Sequence, residues 1–310
     1  MIKIYYLALI ALSLLPTWCL AAPAVNSGDL DLRVMSFNIR NGTGNDGEDR
    51  WEFRKEFVYD VIRDDAPDVL GLQEAVRFQL DAFNQHLPEY GEVGIGANGE
   101  TNGQYVSILY LKDRFEVNDS GTFWLSDTPA HPSKSWGNHH LRNCTWARLI
   151  DKATQQSFYV YNTHMDDGSQ PSREKGIRLI MKHLQAQAIP APFILMGDFN
   201  VAEDNPVIAY LNGSEDDAGH TPARAIDTFR ARHPEVKDVG TFNGFTGLTS
   251  GAKIDYIFAS PETLTLEAGI VRTSREGRYP SDHFPVTAHL RFKQKDGSTG
   301  EEKGIKKEGG

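Results

Sequence analysis

Five short segments, each an apolar run closed by polar residues, narrow the folds open to this chain more than any other feature. They are Ser36-Phe37-Asn38-Ile39-Arg40, Gly71-Leu72-Gln73-Glu74, Asn162-Thr163-His164, Gly197-Asp198-Phe199-Asn200, and Ile254-Asp255-Tyr256 followed by Ser281-Asp282-His283. A short continuous apolar run reads as a strand covered on both faces. A polar residue at its carboxyl end then sits at the rim of a sheet, where it can meet a ligand without breaking the core.

The stretches between these segments suit helices. Phe57, Val58, Val61 and Ile62 follow helical spacing, and Pro67 stops that run. Val76, Leu80, Phe83 and Leu87 mark a second helix; Ile177, Ile180, Met181 and Leu184 mark a third, opened by Pro171. Strands are expected over 32–39, 68–73, 105–111, 146–150, 158–162, 193–196, 254–258 and 286–292. Mixed sheets with helices outside form an α/β sandwich. With 310 residues, 40% of them hydrophobic, the core is large enough to hold without disulfides. Gly94-Ile95-Gly96-Ala97-Asn98-Gly99 fits a dinucleotide fingerprint in spacing only, because no helix-forming segment follows it; it reads as a turn.

Residues 1–21 combine a charged start, an apolar run from Ile4 to Leu15 and a small-residue end at Ala21-Ala22, the pattern of a secretory signal peptide. The run is too short to span a bilayer, so stable membrane insertion is not expected. A secreted or periplasmic location follows, with a catalytic domain over 30–293 and a disordered polar tail over 294–310. Once the leader is cleaved, Cys144 has no internal partner and reads as a small buried apolar residue. The net charge of −10 excludes a basic nucleic-acid footprint and disfavours tight, sequence-reading DNA binding.

The rim residues supply carboxylates, amides and two imidazoles. Glu74 suits a hard cation such as Mg²⁺ or Mn²⁺, and Asn38 a neutral ligand or a phosphate contact. Asp198 and Asn200 are two apart, so an extended segment turns both to one side, where they can orient and polarise a water. His164 and His283 each close a strand-like run, with Asp166 and Asp282 close by in sequence, and imidazoles can donate to a charged phosphoryl group or exchange protons with it. Asp255, an isolated charge in an apolar strand, must find a partner, and fixing an imidazole tautomer would supply one. Zinc would want clustered His or Cys, whereas the ten His are scattered.

In this order the segments resemble the endonuclease/exonuclease/phosphatase (DNase I-like) superfamily, from about Leu32 to Phe292. The resemblance implies a four-layer α/β sandwich, two packed mixed β-sheets flanked by helices. It implies metal binding by Glu74, Asn38 and Asp282; water activation by Asp198; a phosphate contact from Asn200; a scissile-phosphate contact from His283, oriented by Asp255; and transition-state stabilisation by His164. Thr122 to Ser126, Ser135-Trp136-Gly137 and Arg173-Glu174-Lys175 are similar to a secreted bacterial, deadenylase-like branch. Arg142, Trp136 and Phe242 are candidates for the substrate wall, Arg for phosphate and the aromatics for stacking. The expectation is a monomeric Mg²⁺-dependent hydrolase cleaving a phosphodiester, with nucleic acid or a nucleotide as the first substrate. The alternatives are a phosphomonoesterase, a lipid phosphodiesterase and a non-catalytic phosphate-binding protein.

Overall fold

The structure, a computed structural model, describes residues 28–214 and 224–293. The expected leader over 1–21 and tail over 294–310 lie outside the described residues. Among the described residues, twelve strands form two six-stranded sheets. The first sheet contains β1 (Leu30–Asn38), β2 (Val69–Gln73), β3 (Tyr90–Val93), β4 (Ile108–Leu111), β11 (Leu264–Ile270) and β12 (Val286–Phe292), in the order β11-β12-β1-β2-β4-β3. The second contains β5 (Phe115–Trp124), β6 (Asn143–Asp151), β7 (Ser157–His164), β8 (Phe193–Asp198), β9 (Ile226–Asp227) and β10 (Asp255–Ala259), in the order β5-β6-β7-β8-β10-β9. Each sheet has one parallel pair, β1 with β2 and β7 with β8, among antiparallel neighbours. The mixed sheets agree with the sandwich expected from the sequence.

Side-chain alternation in β1 shows how the layers are held. Leu30, Leu32 and Val34 enter an inter-sheet core with Ile194 and Met196 of β8 and Ile257 of β10. Met35 and Phe37 point the other way, into a core shared with Tyr59 and Ile62 of α1 (Trp51–Asp65) and Leu80 and Phe83 of α2 (Arg77–His86). From Val34 onward both faces of the strand are buried, which is why its sequence alternates through Arg33 and turns largely apolar after it. The second sheet packs its outer face on Ile177, Ile180 and Met181 of α3 (Gln170–Gln185) and Val207 and Leu211 of α4 (Pro206–Leu211). Phe37 is fully buried, so Phe37→Ala would cost about 3–5 kcal/mol through lost transfer energy and the cavity left behind.

Helix ends follow their sequence signals. Pro171 lies in the first turn of α3, where Ser169 caps the helix by accepting from the Ser172 N–H. The α1 helix stops at Ala66, which adopts φ 46° immediately before Pro67. Residues 94–100 form turns rather than opening a helix, and Cys144 is buried, where desolvation pushes its thiol well up. Among the described residues no helix is long and apolar enough to cross a membrane.

Candidate active site

The parallel pairs decide where the polar residues meet. Asn38 ends β1 beside Gln73 at the end of β2, and Glu74 follows at the same rim. In the second sheet His164 of β7 lies beside Asp198 of β8, and Asp255 of β10 lies on the other side of Asp198. Arg142 immediately precedes β6, which runs antiparallel to β7, so it reaches the same rim beyond His164. His283 arrives on the loop before β12, and Phe242 forms an isolated bridge with it.

Buried polar groups tie the two sheets together beneath this rim. The Gln73 amide donates to Asn162 Oδ1 at 2.7 Å, and the Asn162 amide donates to Leu72 O and Ser107 O. Each of these side chains is fully buried, so losing one partner would strand the others at about 1–3 kcal/mol per group. Gly197 closes the space from below: its φ is 145°, and a Cβ there would stand 1.9 Å from Thr163 O. No other residue lets β8 approach β7 this closely at the position before Asp198.

Three non-glycine residues at the rim hold left-handed backbone: Arg40 at φ 59°, Glu74 at φ 63° and Asn200 at φ 52°. Such conformations cost of order 1–3 kcal/mol each and persist where surrounding bonds enforce them. Here the Arg40 N–H donates to Asn38 Oδ1, the Asn41 N–H to Glu74 Oε2, and the Asn200 amide to Met165 O.

The side-chain geometry centres on Asn38. Its Nδ2 donates to Glu74 Oε1 at 3.2 Å and to Asp198 Oδ2 at 3.0 Å, and lies 3.4 Å from His283 Nε2. On the far side of that ring, Nδ1 donates to Asp255 Oδ2 at 2.9 Å. His164 Nε2 is 3.5 Å and His283 Nε2 3.7 Å from Asp198 Oδ2. Asp198, Asp255, His164 and His283 are all buried.

Burial and charge set the protonation states. Burial, then the neighbouring Asp255, pushes the Asp198 carboxyl well above the ordinary range, while His283 and the Asn38 and Asn200 donors pull against them. Burial draws His283 down, but Asp255, Asp198 and Asp282 outweigh it and hold the imidazolium up to about 10. His164 takes the opposite state: burial, then Arg142 and His283, keep it well below 6.5 and neutral. One ring is thus a charged donor and the other a neutral one, which suits a site that handles both proton and charge.

The donor set fits a divalent cation. Glu74, Asp282, Asp198 and Asp255 are gathered against three nearby cations, His283, Arg54 and Arg40, whose Nη1 is 3.8 Å from Asp282 Oδ2. Burial and, against the pull of His283, the neighbouring Glu74 raise the Asp282 carboxyl, a like-charge conflict that a hard ion would relieve. Among the described residues, two groups have potential ligand atoms within 4.8 Å of one another: Asp198, Asp255 and His283, and His139, Asp166 and Asp167. Neither suits the ion better. His283 has already given its Nδ1–H to Asp255, and both Asp166 oxygens accept backbone N–H groups from residues 139, 140, 168 and 169. Asn38, expected among the metal ligands, lies beside Glu74; its oxygen accepts from the Arg40 N–H, and its nitrogen donates to Glu74 and Asp198.

A cleft of about 460 Å³ opens over this array, lined by Glu74, His164, Asp198, Asn200, Asp282 and His283. Arg142 and Phe242 also line it, and Phe242 sets its ring edge-on to His283 at 5.2 Å. Asp255 stands behind His283. Trp136 is the exception among the expected wall residues. It packs against the core of the second sheet, donates its indole N–H to Asp127 and lies under Lys175, outside the cleft lining. Asp166, adjacent to His164 in sequence, staples its own loop and does not pair with that ring.

Arg54 was not singled out by the sequence reading. Buried in α1, it donates to Ile39 O, Arg40 O, Asp49 O and Pro280 O, tying the Asn38–Arg40 strand end to the loop that carries Asp282 and His283. Its one signal is a cation three residues after Trp51 and three before Phe57, on the apolar stripe of the helix. Gln104, His140 and Asp167 line the outer cleft and carry no comparable sequence mark.

Comparison with known proteins gives one consistent picture. The sequence model of the Endonuclease/Exonuclease/phosphatase family matches residues 35–283. An endonuclease/exonuclease/phosphatase family protein from Bacteroides thetaiotaomicron is 30% identical with a TM-score of 0.78, over 85% of this chain and 98% of its own. A mannosyl-6-phosphatase from the same organism is 30% identical with a TM-score of 0.75, over 84% of this chain and 100% of its own. An uncharacterized protein of Acanthamoeba polyphaga mimivirus is 26% identical over 238 residues, 73% of this chain and 87% of that one.

Proposed function

This chain belongs to the endonuclease/exonuclease/phosphatase family of phosphoester hydrolases, and from that premise we propose that it is an exported, Mg²⁺-dependent phosphatase acting on small phosphomonoesters by direct attack of water. The observation that carries the chemistry is the array at one rim in which Asp198 lies between His283 and His164, with Asp255 behind His283 and Asn38 donating to Asp198. The small-substrate reading is supported by the mannosyl-6-phosphatase relative, which this chain matches over that protein's full length, and by a net charge of −10, which disfavours long polyanions. It departs from the phosphodiester first expected from the sequence. Export is supported by the leader pattern of residues 1–21.

Glu74 and Asp282 would hold the ion, which when bound screens phosphoryl charge and favours ionisation of water. The raised carboxyl of Asp198 makes it a base matched to neutral pH, accepting a proton from the attacking water. The His283 imidazolium, kept charged by Asp255, donates toward a phosphoryl oxygen. Neutral His164 donates on the opposite side as negative charge builds, without adding a buried cation. Asn200, fixed by its bond to Met165 O, lines the cleft as a further polar contact. No serine or cysteine nucleophile is required.

The test incubates the purified protein with hexose phosphates, p-nitrophenyl phosphate, its bis-ester and an oligonucleotide, with Mg²⁺ and with EDTA. Release of phosphate from the monoesters, dependent on Mg²⁺ and exceeding turnover of the diesters, supports the proposal. Faster turnover of the oligonucleotide or bis-ester would replace it with the phosphodiesterase reading. N-terminal sequencing of the protein recovered from the producing cell tests removal of the leader.

A further inference from the structure

We infer that Asp167 and Arg142, with His140 beside them, form a leaving-group subsite that reads the hydroxyls of a polyol phosphate such as a sugar phosphate. The inference rests on the phosphatase reading above and assigns what the outer half of the cleft recognises. Arg142 sits at the start of β6, beyond His164 from the carboxylates of the first sheet, and its side chain is only 6% exposed. Its Nη2 donates to Asp167 Oδ1 at 3.3 Å, while its buried Nε has no hydrogen-bond partner and lies 3.8 Å from Asp166 Oδ2. Its Nε is thus turned toward Asp166, while Arg142 itself lines the cleft beside Asp167.

Asp166 and Asp167 are adjacent but differently used. Asp166 spends both oxygens on backbone N–H groups and builds the loop. Asp167 is turned outward by that loop. Its side chain is 51% exposed and faces Arg142 and, at 4.0 Å, His140 Nε2. The wall thus offers a carboxylate acceptor and a guanidinium donor side by side.

That pairing has a definite complement. A hydroxyl both donates and accepts, so adjacent hydroxyls can donate to Asp167 while accepting from Arg142. A flanking phosphate only accepts, and Asp167 would repel it. A site built to hydrogen-bond a hydroxyl discriminates strongly against analogues that lack one. This wall therefore favours a polyol over a nucleic-acid strand or a plain aryl leaving group.

The experiment compares kcat/KM for glucose 6-phosphate and other hexose 6-phosphates with that for p-nitrophenyl phosphate, in the wild-type protein, Asp167→Ala and Asp167→Asn. The ratio of hexose to aryl ester is expected to fall by about tenfold or more in Asp167→Ala, mainly through KM for the sugar, with Asp167→Asn intermediate. Circular dichroism confirms that the variants are folded. An unchanged ratio, with both substrates affected in parallel, would overturn the subsite. A wild-type protein that hydrolyses p-nitrophenyl phosphate but no hexose phosphate better would also overturn it, leaving the phosphatase reading intact. Inertness toward every monoester would overturn both.

Discussion

His283 gives its Nδ1–H to Asp255 Oδ2 at 2.9 Å, leaving Nε2 to face Asp198 and Asn38. The carboxylate behind the ring fixes the tautomer and keeps the imidazole charged in a setting where burial alone would neutralise it. Asp255→Asn should therefore lower kcat by about 10²-fold or more, with a smaller change in KM, because the ring loses orientation and charge together. Steady-state kinetics at pH 7 with saturating Mg²⁺ checks this.

The same pair predicts a pH dependence of stability in the metal-free protein. The folded pKa of His283 is raised to about 10 from an ordinary 6.5, so the folded state holds the proton more tightly. The stability it contributes is complete below pH 6.5 and is lost as the pH rises through about 10. The raised Asp198 carboxyl acts with the same sign at lower pH. In EDTA, Tm should fall between pH 6.5 and 9.5, and Asp255→Asn should flatten that fall.

Metal binding should read out without turnover. An ion bound only by the folded state raises stability by about 2.7 kcal/mol at a hundredfold excess over Kd, which is several degrees in Tm for a domain of this size. Mg²⁺ should raise Tm of the wild-type protein, and EDTA should reverse the gain. Glu74→Ala should abolish it while remaining folded, since Glu74 is a rim residue with left-handed backbone rather than part of the core.

Arg54 should matter to both stability and rate although it lies behind the cleft. Arg54→Met leaves the carbonyls of Ile39, Arg40, Asp49 and Pro280 without their donor. A loss of about 2–5 kcal/mol follows. Denaturant unfolding measures that loss. Because the tether joins the loops of Asn38 and His283, kcat should fall even under conditions where the variant is fully folded.

Much of the site was legible in the sequence because its strands are covered on both faces. β2 and β8 appear as apolar runs, β1 turns largely apolar from Val34 and β7 is apolar from Phe158 to Tyr161, and a polar residue at the end of each stands out against them. Asp255 was legible for the same reason, as a lone charge in the dry strand β10. Edge strands gave no such contrast. β5 begins one sheet and carries exposed Asn118, Asp119 and Ser120, and β11, at an edge of the other, is half-exposed; neither was expected. Trp136 and Asp167 show the same limit in side chains. An aromatic residue near a motif looks like a wall whether it faces core or cleft, and an aspartate in a loop acquires a role only when tertiary packing sets Arg142 beside it.

Asp198, buried between His164 and His283, is the proposed base for hydrolysis by water. The most direct measurement is the rate of p-nitrophenyl phosphate hydrolysis with Mg²⁺ by wild-type protein and by Asp198→Ala, at matched circular dichroism. The rate should fall by about 10³-fold or more in Asp198→Ala, with folding retained. A variant within tenfold of wild type would contradict it.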